Sequence, residues 1–197
     1  REEVVVVQQA YGRSSDARLN AAPRVLREAF LFPYTYGQDF VAALYDEGGW
    51  DVVNGAFFAP PASSEQILHP ERYLAGEQPV AVSLPPLADT LGEGWRAAYE
   101  GSVGEFILRI YLESRLEPEQ AALAAEGWGG DRLAVYQNEG AGTSLMLFSL
   151  TWDTPEDAAE FRAAYLTWAE GRFEGPGDTE TGRLTCWEDS DGLCVPW

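Results

Sequence analysis

RLAVYQNEGAGTSLMLFSLTWDTPED, residues 132–157, is the stretch that decides the fold class. Arg132 to Gln137 and Ser144 to Trp152 are rich in aromatic, β-branched and long apolar side chains. The segment between them, Asn138 to Thr143, carries Gly140 and Gly142. Two such runs around a short glycine-bearing turn predict a β-hairpin. Thr154-Pro155-Glu156-Asp157 then opens a helix, with a hydroxyl at the cap, proline at the first position and acids in the first turn. Ala158, Phe161, Tyr165 and Trp168 recur on one face of that helix.

Upstream of the hairpin, Pro118 opens a helix over Glu119 to Glu126, stopped by Gly127-Trp128-Gly129-Gly130. Ser102 and Glu105 have capping-box spacing and predict another helix, carrying Phe106, Ile107, Ile110 and Tyr111. Downstream, Glu174 to Gly182 reads as a loop. The flanked turn Cys186-Trp187-Glu188-Asp189-Ser190-Asp191-Gly192-Leu193-Cys194 follows, with a spacing that suits a disulfide closing a C-terminal hairpin. Two reduced buried thiols are the other reading. The order α-α-β-β-α-β-β predicts a small antiparallel sheet covered on one face by helices.

The first half reads as mainly helical and irregular. Glu2 to Ala10 is apolar and β-branched, and Gly12 to Asn20 is loop-like. Pro23 opens a helix through Phe30, which Pro33 interrupts. Gln38 to Asp46 is helical, with Phe40, Val41, Leu44 and Tyr45 on one side. Gly48-Gly49 breaks it before a short helix from Trp50 to Phe57, and Pro60-Pro61 ends that. Ser63 and Gln66 match a capping box for a short helix ending near Pro70. Gln78 to Leu84 is extended, and Pro85-Pro86 to Gly94 is the best internal boundary. The expected class is therefore α+β. Residues 1–88 form a mostly helical region and residues 89–197 the α-α-β-β-α-β-β region, either as two domains or as one compact unit.

Composition limits the function. The 197 residues are 46% hydrophobic and 13% aromatic, enough for a core. The formal net charge is −19, with 32 acidic residues against 13 basic ones, all of them arginine. Nucleic acid and anionic membranes both demand a basic face, so both are disfavoured as partners. No apolar run approaches the roughly 20 residues of a membrane helix. The chain begins at Arg1 and reads as a processed product or a fragment. A disulfide implies an oxidising compartment, hence an extracytoplasmic location.

Catalytic motifs are missing. With one histidine there is no HExxH zinc helix, and two cysteines plus one histidine do not make a four-ligand zinc site without carboxylates. There is no CxxC pair and no GxSxG elbow. Gly140-Ala141-Gly142-Thr143 lacks the lysine and spacing of a P-loop. Asp189-Ser190-Asp191-Gly192 begins like a calcium loop, but its twelfth position would fall beyond Trp197. His69, at the end of the short capped helix, has two readings. It either bonds free carbonyls at the helix C-terminus, or lines a cleft as an electrophilic or proton-shuttling group. Glu65 either offsets the helix dipole or binds a cation or substrate amine in a cleft. Arg132 either forks onto a bound carboxylate or pairs internally with Asp131 or Glu126.

A set of spaced motifs goes further. It comprises Phe32-Pro33-Tyr34, Gly37-Gln38-Asp39-Phe40-Val41, Gly48-Gly49-Trp50-Asp51-Val52-Val53-Asn54, Pro60-Pro61 and Ser64-Glu65-Gln66-Ile67-Leu68-His69-Pro70-Glu71-Arg72-Tyr73. Gly104-Glu105, Ala124 to Arg132 and Trp152-Asp153 with Asp157-Ala158 and Phe161 complete it. Together they resemble the C-terminal region of a family of exported bacterial and archaeal zinc-metallopeptidase-like proteins of unknown function. The resemblance runs from about Phe32 to Phe161. It implies an upstream HExxH domain on the same polypeptide as partner, with zinc held there and by no residue of this chain. It further implies a non-catalytic C-terminal portion shaping a substrate cleft for a peptide or protein. His69, Tyr34 or Tyr36 would then steady an oxyanion, and Glu65, Trp50, Trp128 and Arg132 would border the cleft. The alternative is an extracytoplasmic binding module without enzymatic activity.

Overall fold

The computed structural model describes residues 17–173, 177–180, 184–187 and 193–196; the side chains at 17, 88–89, 178–180, 184–187 and 194–196 lie outside that description. The apolar segment Glu2 to Ala10 and the Asp189 to Gly192 turn also lie outside it. The chain divides into two compact units. The first takes in residues up to Val80 together with Gly104–Ile107, and the second takes in Ala81–Val103 and everything from Leu108 on.

The first unit is helical: α1 (Ala17–Ala21), α2 (Arg24–Phe58), α3 (Ser64–Leu68) and α4 (Pro70–Leu74). The expected interruption at Pro33 does not occur, and α2 runs through it. A proline deletes one helical N–H. The Thr35 hydroxyl donates back to the carbonyls of Leu31 (3.2 Å) and Phe32 (3.3 Å), supporting the turn around the ring. The expected break at Gly48-Gly49 is a kink. Gly49 sits at φ 64°, ψ −154°, a conformation that only glycine reaches without strain. That bend lets Phe40 and Leu44 before it and Val53 after it bury together, with Val52, Ala56, Ile67 and Tyr73 packed around them. The Tyr73 ring meets Phe40 edge-on, and its hydroxyl donates to the Ala59 carbonyl (2.7 Å). Ser63 caps α3 as its spacing predicts, accepting from the Gln66 amide at 3.2 Å. The Gln66 side chain reaches one residue past a standard capping box, accepting from Ala62 N (2.6 Å).

The second unit is the mixed part of an α+β protein. Its elements are α5 (Ala88–Leu91), β1 (Trp95–Gly101), the part of α6 (Gly104–Leu112) from Leu108 on, α7 (Pro118–Ala125), β2 (Trp128–Asn138), β3 (Thr143–Trp152), α8 (Pro155–Phe173), β4 (Asp178–Glu180), β5 (Leu184–Trp187) and β6 (Leu193–Pro196). Strands β1, β2 and β3 form an antiparallel sheet with β2 in the centre. The predicted hairpin pairs Gln137 with Ser144 and Asn138 with Thr143. Two strand readings change. Trp95–Gly101 is a strand that the hydrophobic pattern hides, because its five central residues are exposed. Trp128 to Gly130, expected to be a helix stop only, already belongs to β2, with a register irregularity between Trp128 and Gly130.

The core joins Leu108, Leu112 and Leu116 to Ala121, Ala124 and Ala125 of α7, Trp128 of β2, and Phe161, Trp168 and Ala169 of α8. The alanine face of α7 lets its backbone approach closely. Full burial of each leucine there contributes on the order of 1.5–3 kcal/mol. The expected capping box of Ser102 with Glu105 is not formed. Helix α6 starts at Gly104, no side chain caps it at Val103, and the Val103 amide donates instead to the Asp131 carboxylate (2.7 Å). The last three strands form a second antiparallel sheet whose register sets Cys186 opposite Cys194. Among the described residues there is no disulfide, and both thiol side chains lie outside them.

Candidate functional site

The polar centre of the first unit is built on the joint between α3 and α4. Pro70 opens α4, and a residue before proline is driven out of the helical region. His69 obeys, at φ −124°, ψ 77°, ending one helix and starting the next. Its amide donates to the Glu65 carbonyl (2.7 Å) and its carbonyl accepts from the Arg72 amide (2.9 Å). Both backbone groups of His69 are therefore engaged within the joint.

The imidazole Nε2 lies 2.9 Å from Oε1 of Glu105, in the first turn of α6. Nδ1 is 3.9 Å from the exposed Glu71 carboxylate. Glu105 is only 3% exposed, and its second oxygen, Oε2, is buried with no hydrogen-bond partner among the described residues. The Glu105 hydrogen bond holds the His69 pKa above its ordinary value. Burial opposes it, the Glu105 charge adds to it, Arg72 opposes and Glu71 adds.

Beside this pair runs a second chain of charges. Arg72 Nη1 is 3.0 Å from the buried Glu65 carboxylate and 2.7 Å from that of Glu77. The Glu77 carbonyl accepts from the Gln66 side-chain amide. The two nearly inaccessible carboxylates thus have a basic partner each, Arg72 for Glu65 and His69 for Glu105. The first turn of α6 is seated by Ser64, whose Oγ accepts from the Phe106 amide at 3.2 Å. Gly104 has φ 78°, and a Cβ on it would lie 2.7 Å from the same Oγ. The Phe106 ring stacks near Phe32 (4.2 Å between centroids) and Tyr36 (5.5 Å).

The sequence-predicted residues are only partly brought together. His69 and Glu65 share the joint, Glu65 as a buried ion-pair partner of Arg72. Tyr36 packs on Phe106, whereas Tyr34 is exposed beside Phe30. Trp50 is exposed and meets Tyr45 edge-on. Trp128, expected at a cleft, is 2% exposed inside the core of the second unit, its indole donating to Asp131 (2.9 Å). Arg132 pairs with Glu100 through Nε and Nη2 (3.0 and 2.8 Å), not with Asp131 or Glu126 as expected. Glu105 and Arg72 were missed as site residues. Glu105 carried a signal, but a local one, its spacing from Ser102, and that pointed to a cap.

A histidine oriented by a carboxylate is half of a nucleophilic triad. The other half needs a hydroxyl or thiol at the far ring nitrogen, and that nitrogen faces the Glu71 carboxylate. Among the described residues, no set of three or more converging His, Cys or acidic ligands contains His69. The pair by itself does not supply the ligands of a zinc centre. What it can bind is a proton.

Residues 90–195, more than half of the chain, match a family described as a domain of unknown function (DUF8575). The matched span contains Glu105, Trp128 and Arg132, while His69 and Glu65 precede it. No curated protein and no solved structure matches the chain. No helix among the described residues is long and apolar enough to cross a membrane.

Proposed function

The chain belongs to the DUF8575 family, and we propose that it is a non-catalytic docking portion of a larger exported, metallopeptidase-like protein. The observation that carries this reading is the outer face of α2. Leu26, Phe30, Tyr34, Val41 and Tyr45 fall on one stripe at spacings of four and seven residues, and all five are exposed. Past the kink, Trp50, Phe57 and Phe58 are exposed as well, Phe58 at 91%. A run of large apolar side chains of that length on an acidic, otherwise well-solvated chain is a surface meant to be covered. The occupant is the preceding domain of the same polypeptide, which by the sequence resemblance carries the HExxH helix and its zinc. The buried, ion-paired state of Glu65 and Glu105 supports a structural rather than a catalytic use of this unit's acids.

The export side of the reading rests on Cys186 and Cys194. Their backbones face each other across β5 and β6, an arrangement that suits a disulfide in an oxidising compartment.

The test is direct. The open reading frame ahead of Arg1 is read for HExxH, and the segment it encodes is produced separately and mixed with this chain. Binding that is lost in the Phe30→Ser, Tyr34→Ser double variant, with circular dichroism unchanged, supports the docking face. Undiminished binding in that variant refutes it. A preceding segment without HExxH removes the metallopeptidase-like part.

A further inference from the structure

We propose that His69 and Glu105 form a proton-operated latch that fastens the first turn of α6 to the α3–α4 joint, closed while the imidazole is cationic and loosened when it loses its proton. The inference is independent of the docking role of α2.

Three observations carry it. Glu105 is almost fully buried, and the hydrogen bond that the structure gives its carboxylate is the one to His69 Nε2, at 2.9 Å. The other carboxylate oxygen is buried and without a partner among the described residues, so the contact with the imidazole is what compensates the burial of this acid. And Gly104–Ile107 is the one segment that the first unit takes from beyond Val80, so Glu105 is itself part of the fastening.

Among the described residues, the charged groups that face the ring come from two neighbouring elements. Glu105 comes from α6, and Glu71 and Arg72 from α4, while Glu65 on α3 turns its carboxylate to Arg72. Two acids against one already engaged arginine leave the cationic ring favoured, in agreement with the raised pKa of His69. A group whose pKa is raised on folding contributes stability that is full below its unfolded value, about 6.5, and is lost as pH rises through the folded value. The latch therefore opens on the alkaline side. Two other attachments of the turn, the Ser64 Oγ to Phe106 N bond and the ring contact of Phe106 with Phe32, do not titrate. The expected event is a local loosening rather than unfolding.

The chain has one histidine, so its ring proton resonances stand alone in an NMR titration of the whole chain. The expected midpoint lies above about 6.5. The backbone amide shifts of Gly104–Ile107 follow the same midpoint, and their hydrogen-exchange protection falls several-fold on the alkaline side after correction for intrinsic exchange. In Glu105→Gln the midpoint drops. In His69→Gln the amide shifts of that turn no longer follow a midpoint in this range. A wild-type midpoint at or below the unperturbed value, or amides of Gly104–Ile107 that do not follow the ring, overturns the proposal without needing either variant to fold. An unchanged midpoint in folded Glu105→Gln overturns it too.

Discussion

Gly104→Ala is the most searching perturbation of the joint on which the candidate site rests. Two costs are readable in the geometry. At φ 78° an alanine occupies the left-handed region, which costs about 1–2 kcal/mol for a residue with a Cβ. The new methyl would also lie 2.7 Å from Ser64 Oγ, closer than contact allows. Ser64 must then turn away, and the hydrogen bond it accepts from the Phe106 amide is lost at a cost of about 0.5–1.5 kcal/mol. The two together give a destabilisation of about 1.5–3.5 kcal/mol. For a chain of this length each kilocalorie moves the melting temperature by about 2–4 °C. The assay is thermal and urea unfolding of the wild type, Gly104→Ala, Ser64→Ala and the double variant. Because Ser64→Ala removes both the obstructing oxygen and the bond at risk, the double variant should cost less than the two single changes added together. A loss below about 0.5 kcal/mol in Gly104→Ala, or strict additivity in the cycle, would show that the first turn of α6 is not seated on Ser64 as described.

Other expectations concern the second unit. Trp128→Phe keeps the aromatic volume but strips the indole donor from the buried Asp131 carboxylate, so a loss of about 1–3 kcal/mol by urea unfolding is expected; a change within experimental error would mean that water replaces the bond freely. Arg132→Ala should cost under about 1 kcal/mol, because both it and Glu100 are well exposed; a larger loss, or a loss of ligand binding, would restore Arg132 as a recognition residue. Alkylation of Cys186 and Cys194 should add mass only after reduction. Labelling of both thiols in the unreduced protein would argue for a reducing compartment.

What the sequence made legible was local. The hairpin, the α8 face, the Ser63 cap and the Gly48-Gly49 kink each follow from residues within a few positions of one another. Strand β1 escaped because Trp-Arg-Ala-Ala-Tyr-Glu-Gly has no alternation to find: both of its faces are largely exposed and register with β2 is what makes it a strand. Pro33 reads as a break because a proline in a helix interior deletes an N–H bond, while the Thr35 hydroxyl bonds back to Leu31 and Phe32 and α2 continues through it. At the site, His69 was singled out for its type, but its partner lies 36 residues away and had been given a local job as the N3 acid of a cap. Trp128 shows the opposite error. An aromatic flanked by glycines reads equally as a groove wall or as a core wedge, and only the facing residues of α7 and α8 decide for the core.

The borrowing of Gly104–Ile107 by the first unit has a consequence for how the polypeptide can be divided. A unit assembled from two separated stretches of chain is not released by a single cut. Ending the polypeptide after Val80 withholds from it the acid that faces its histidine and the ring that covers Phe32. Excising residues 90–195, the span of the family match, carries those same groups off with the wrong piece. During synthesis the first unit likewise waits, with its joint incomplete, until the strand Trp95–Gly101 and the turn after it have emerged. A boundary drawn along the sequence at this point would describe the gene more faithfully than the fold.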